Sequence, residues 1–184
     1  MNPMNHQRCL ILGLGNPLRG DDGVGPRVVA ELLRRGLPDG VAAVDGGTGG
    51  LDLLHLLEGW EHAIIVDAAE LGRKPGEFLR FTPEEAHLVG SLVSLSSHTA
   101  GLADALALAR ALGQTLPDIV IYGVQPERMD WQEGLSPAVE AALPQMITAI
   151  LEEIMRIFVT AAQPPSQNHP SLEGAGHARQ NSDR

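Results

Sequence analysis

The sequence predicts an α/β protein, a three-layer α/β/α sandwich with a mainly parallel sheet of about five strands. Three observations point there. Short apolar runs alternate with stretches that carry apolar residues at helical spacing. The runs at 9–14, 62–66 and 119–124 are nearly continuous in apolar residues, as in strands buried on both faces. Glycine-rich loops follow the first two strands, at the carboxyl ends where open α/β sheets bind ligands.

A chain of 184 residues suffices for one domain with a sizeable core. That domain is expected over residues 1–161, and no internal repeat divides it. Three Phe, two Trp and one Tyr leave most of the core to Ala, Leu, Val and Gly. The formal net charge of −10 argues against nucleic acid, whose phosphates demand Lys and Arg, and against an anionic membrane surface. One cysteine, Cys9, makes no intrachain disulfide and no thiolate zinc site. Its place in an apolar strand predicts a packed, inert thiol. The first eight residues lack an apolar stretch of signal-peptide length, and no window approaches a spanning helix, so a cytoplasmic protein is expected.

In chain order, Cys9 to Leu14 is the first strand. Gly13, Gly15, Asn16, Pro17 and Gly20 then exclude a helix, and Asp21 and Asp22 sit in the loop. Val28, Val29, Leu32 and Leu33 share one helical face, and Gly36 and Pro38 end that helix. Val41 to Val44 is a short strand running into Asp45-Gly46-Gly47-Thr48, and Leu51 to Leu57 is a short helix. His62 to Val66 is the third strand, with Asp67 expected at its end. Glu77 to Phe81 alternates and predicts an edge strand. Thr82-Pro83-Glu84-Glu85 is a capping box opening a short helix. Ser91 to Ser97 is polar and predicts a flexible stretch before His98. A helix then runs to Leu112, and Ile119 to Val124 is the last strand. Ser136-Pro137 opens a long helix to about Phe158, with Val139, Leu143, Met146, Ile147, Ile150, Ile154 and Ile157 on one side. Residues 162–184 are rich in Pro, Gly and polar groups and predict a disordered tail. His169 and His177 lie in it, where nothing fixes them.

A dinucleotide fingerprint fails at the first loop. It needs glycine at 18, where Leu18 stands, and two carboxylates would repel a pyrophosphate. Asp21 and Asp22 suit a cation. Asp22, Asp67 and His98 recur at comparable points of the pattern. In a parallel sheet the two carboxylates leave the same edge, and with one imidazole they suit a divalent ion such as nickel, zinc or manganese. Each residue also has an ordinary structural role open to it. Asp21 or Asp22 suits a helix cap, Asp67 a strand-end turn, and His98 an exposed first turn. His55, His62 and His87 carry no pattern, and Asp45 is placed to brace its own glycine loop.

The stretch Gly13-Leu14-Gly15-Asn16-Pro17 through Gly20-Asp21-Asp22-Gly23-Val24-Gly25 resembles the N-terminal signature of the nickel-iron hydrogenase maturation endopeptidases. Four later segments resemble that family in order. They are Asp45-Gly46-Gly47-Thr48, Ile65-Val66-Asp67-Ala68, Ser97-His98 with Gly101-Leu102-Ala103-Asp104, and Tyr122 to Glu127 with Gly134 to Val139. The resemblance covers about residues 8–157.

It implies that Asp22, Asp67 and His98 are the metal-contacting and catalytic positions, and that Asp45, Gly46, Gly47 and Thr48 handle substrate. Many family members carry Glu where this chain has Asp22, which shortens the arm by about 1.5 Å. The implied activity is removal of a C-terminal extension from a hydrogenase large-subunit precursor once nickel is in place. Nickel would then come with the substrate, and that precursor would be the partner. The metal would polarise the scissile carbonyl, activate a water, or dock the substrate while a carboxylate acts as base. Two other readings remain open at this point. A nickel-sensing chaperone would bind the same precursor uncut. Peptidyl-tRNA hydrolase shares strand-G-L-G-N-P, but its next segment is Thr-Arg-His-Asn, where this chain has Gly20-Asp21-Asp22-Gly23.

Overall fold

The computed structural model describes residues 9–50, 52–88, 94–95 and 97–161, and the side chains of all of these except 86–88, 94–95, 97–101, 103 and 161. The tail expected over 162–184 lies outside the described residues. The strands are β1 (Cys9–Leu14), β2 (Val41–Gly47), β3 (His62–Glu70), β4 (Phe78–Phe81), β5 (Ser94–Leu95) and β6 (Asp118–Val124). The helices are α1 (Val24–Arg35), α2 (Asp52–Leu57), α3 (Pro83–Leu88), α4 (Ser97–Ala111) and α5 (Pro137–Ala161).

The sheet runs β2-β1-β3-β6-β4, and β5 adds to β3. The first four strands of that order are parallel, β4 is antiparallel at the edge, and β5 is antiparallel to β3. This is the sandwich that the sequence pattern predicts, with a sixth, two-residue strand added. Alternate residues of each buried strand feed opposite layers. Cys9 and Ile11 of β1 join Ile64 and Val66 of β3 against α1 and α5, while Leu10 and Leu12 join Ile65 and Ile121 against α2 and α4. Burial pushes the Cys9 thiol up to about 12, with the Glu153 carboxylate adding to the shift, so the thiol is packed and inert.

Several boundaries differ from expectation, each for a physical reason. Helix α1 starts at Val24, four residues before the apolar pattern that opens at Val28, because a 3-10 turn at Gly20–Gly23 already winds the chain. Pro26 is tolerated there because the first turn of a helix has no inward N–H bonds to lose. Strand β3 does not stop at Val66. Pairing with β6 carries it to Ala68 and pairing with β5 to Glu70, so Asp67 lies inside a strand. Part of the stretch expected to be flexible is that β5 pairing, at Ser94 and Leu95. The capping box holds: Thr82 N–H donates to Glu85 Oε2 at 2.7 Å, and Glu85 N–H donates to Thr82 Oγ1 at 3.3 Å. No helix among the described residues is long and apolar enough to cross a membrane.

Edge strand β4 is tied to α5 by charge. Arg80 donates to both Glu153 carboxylate oxygens at 3.0 Å, and Arg156 donates to Glu153 Oε2 at 2.5 Å. Burial pushes the Glu153 carboxyl up, but the hydrogen bonds and charges of the two arginines outweigh it and hold it below the usual carboxylate range.

Candidate functional site

Strand order fixes where a site forms. The chain leaves β1 toward β2 on one side, then crosses back so that β3 lies on the other. Such a reversal opens a crevice at the carboxyl ends of the two neighbours. The last β1 residue paired with β3 is Gly13, opposite Val66. Asp67 is the next residue of β3, at the point where β1 has begun to turn away. Asp22 belongs to the loop that leaves β1. Both carboxylates are fully buried, and so is Asp21.

Close packing holds the loop in this crevice. Gly15 adopts φ +122°, and a Cβ there would lie 1.7 Å from the Asp22 carbonyl oxygen. A Cβ on Gly25 would lie 2.2 Å from the Leu14 oxygen and 2.6 Å from the Val66 oxygen. The start of α1 therefore seats directly on the ends of β1 and β3. Asp22 Oδ2 accepts the Asn16 N–H at 3.1 Å, which closes the loop on itself. The N-cap position of α1 is Gly23, which offers no side-chain cap.

Asp21 and Asp22 have separate tasks, which the sequence reading did not separate. Asp21 Oδ2 accepts the N–H groups of Glu127 at 2.8 Å and Arg128 at 3.1 Å, and its Oδ1 accepts Ser136 N–H at 2.6 Å. It thus anchors the loop between β6 and α5. The only available sequence signal was the doubled aspartate itself. Gln125, at the end of β6, was also missed as an organiser. Its Oε1 accepts Leu71 N–H at 2.7 Å and Arg73 N–H at 3.2 Å, and its Nε2 donates to Glu70 at 2.7 Å. That fixes the loop after β3.

Leu95 pairs with Ala69, two residues beyond Asp67, and α4 begins at Ser97. The topology thereby brings the first turn of α4, with His98, to the same end of the sheet as both carboxylates. The His98 side chain lies outside the described residues. Among the described residues no three His, Cys, Asp or Glu side chains form a metal cluster. Asp45 does brace its loop, its Oδ1 accepting Gly47 N–H at 2.9 Å. Gly15 N–H donates to the Gly47 oxygen at 2.8 Å, so the Asp45-Gly46-Gly47-Thr48 loop adjoins the Asp22 loop.

A crevice with two buried aspartates at this switch point is the setting in which the family comparison falls. The family model for hydrogenase maturation proteases (HycI) matches residues 26–153. The chain belongs to the hydrogenase maturation protease family. Hydrogenase 2 maturation protease of Escherichia coli strain K12 is 38% identical over 151 residues, covering 79% of this chain and 92% of that protein. The solved structure of hydrogenase maturating endopeptidase HybD from E. coli superposes with a TM-score of 0.71 at 35% identity, over 82% of this chain and 93% of its own. The NiFe hydrogenase maturation protease HybD from Thermococcus kodakarensis gives 0.68 at 31% identity, over 80% and 99%. As a hydrogenase maturation protease, the chain has the fold that its sequence signatures imply.

Proposed function

We propose that the chain is the endopeptidase that removes the C-terminal extension of a nickel-loaded hydrogenase large-subunit precursor, acting in the cytoplasm. Membership of the hydrogenase maturation protease family supports this reading. So does the single observation that carries it at the site: two fully buried aspartates, Asp22 and Asp67, at the β1–β3 switch point. Buried carboxylates are stable as anions only with a cation or hydrogen-bond donors. Their oxygens, with one imidazole, are a donor set that accepts nickel.

In this reading Asp22, Asp67 and His98 contact the nickel that the precursor carries. Nickel bound there supplies Lewis acidity toward the scissile amide. A carboxylate of the pair accepts a proton from the attacking water as general base. The Asp45-Gly46-Gly47-Thr48 loop, adjoining the Asp22 loop, receives the precursor backbone. The test is incubation of wild-type protein with nickel-loaded and nickel-free precursor. Shortening of the loaded form alone supports the reading. Equal cleavage of both contradicts nickel recognition, and binding without cleavage favours a chaperone.

A further inference from the structure

Loop 126–136 is held to the Asp22 loop far more firmly than a surface connection requires. Besides the three N–H groups on Asp21, Gly20 N–H donates to the Gln132 oxygen at 2.6 Å and Asp21 N–H to the Arg128 oxygen at 3.0 Å. Arg19 forms a parallel bridge with Gln132 and donates to the Met129 oxygen at 3.2 Å. The two loops leave β1 and β6, the strands that flank β3 in the Asp22–Asp67 half of the sheet. Together they make one rigid rim beside Asp67.

That rim displays exposed apolar groups. Trp131 is 77% exposed, with the Arg19 guanidinium 5.8 Å from its ring centre, and Leu18 on the facing loop is 49% exposed. One of the two tryptophans of the chain is thus displayed in solvent, three residues along from the segment that Asp21 pins. Loss of a rigid aromatic at a protein contact is costly, which is why Trp and Arg dominate such contacts. The same two loops line a shallow pocket of about 270 Å³ with Pro17, Gly20, Gly23 and Leu135. Asp67 pairs with Gly123 of β6, so the loop that follows β6 emerges at the same end of the sheet as that carboxylate.

We infer that Trp131 is a specificity-determining residue that binds the precursor polypeptide beside its cleavage point, and that Asp21 is a positioning residue that holds Trp131 there. The inference rests on the proposed endopeptidase reading. Asp21 acts through the loop and does not touch the reacting atoms. Its carboxylate is suited to this because two oxygens accept three N–H groups, which an amide cannot do.

The experiment is steady-state cleavage of nickel-loaded precursor by the full chain and by Trp131→Ala, Asp21→Asn and the double variant. Trp131→Ala is expected to raise KM about tenfold with kcat unchanged, since it removes binding shared by ground and transition states. Asp21→Asn is expected to raise KM comparably, and the double variant to be no worse than Asp21→Asn alone. A merely structural Asp21 would instead lower kcat with the folded fraction and leave KM as it was, which overturns its positioning role. Wild-type KM in Trp131→Ala overturns the inference, and this variant decides alone if Asp21→Asn does not fold. If wild-type protein cleaves no loaded precursor, the endopeptidase reading itself fails. Cleavage by wild type with an unchanged KM in Trp131→Ala removes only the present inference.

Discussion

Asp21 and Ser136 lie 115 positions apart, yet the Asp21 Oδ1 accepts the Ser136 backbone N–H at 2.6 Å. The bond joins the loop after β1 to the residue that opens α5. Ser136 has a second role through its side chain, whose Oγ accepts Val139 N–H at 3.4 Å as an N-cap. The two roles separate cleanly in a variant. Ser136→Ala keeps the backbone N–H and loses the cap. It should lower unfolding free energy by about 1 kcal/mol in urea titration, while cleavage per folded molecule stays at the wild-type level.

Gly25 is irreplaceable for a steric reason. Any Cβ there meets the Leu14 and Val66 carbonyl oxygens, which are backbone and cannot swing aside. Gly25→Ala should cost about 3 kcal/mol or more in unfolding free energy, at the upper end of overpacking penalties. Gly36 offers the control of position, since a Cβ there meets nothing within 4 Å. Its φ of +84° with ψ 141° leaves only a backbone cost, so Gly36→Ala should lower unfolding free energy by about 1–3 kcal/mol.

The Arg80–Glu153–Arg156 cluster predicts acid sensitivity. The folded Glu153 pKa is depressed, so its contribution to stability is present above the unfolded value of about 4.3 and is lost as pH falls through the folded value. Its arginine partners are 40% and 59% exposed, so water screens the pair and the contribution is modest. Glu153→Gln should lower unfolding free energy by about 1–3 kcal/mol at pH 7. It should also flatten the loss of melting temperature between pH 5 and pH 3, measured by circular dichroism. An unaltered acid profile would assign the sensitivity to other carboxylates.

Local pattern carried the fold well where burial was uniform. Cys9–Leu14 is apolar at every position and buried at every position, and it reads as a strand without help from context. Strand β3 reads only in part, because its last residues are fixed by pairing partners on β5 and β6 that no local window contains. The same limit hides Asp21, whose three donors lie 106 to 115 positions away. Glu153 is hidden differently. It sits between Ile150 and Ile154 on the apolar side of α5, where a carboxylate is legible as odd, but its partner Arg80 comes from an edge strand 73 positions earlier. Asp22 and Asp67 were legible as acidic positions near the carboxyl ends of β1 and β3, because parallel strands joined through helices end on the same side of a sheet. The division of labour between Asp21 and Asp22 was not, because adjacent identical residues differ only in what the fold places against them.

The most direct test of the central claim is replacement of Asp67 by Asn, which keeps shape and removes charge. If its carboxylate meets the nickel of the precursor, Asp67→Asn should fold with a melting temperature near that of wild type. It should leave the nickel-loaded precursor at full length on a gel, where wild-type protein shortens it, a loss in rate of at least about a hundredfold. A variant that shortens the loaded precursor in proportion to its folded fraction would contradict the account and leave Asp67 a structural residue.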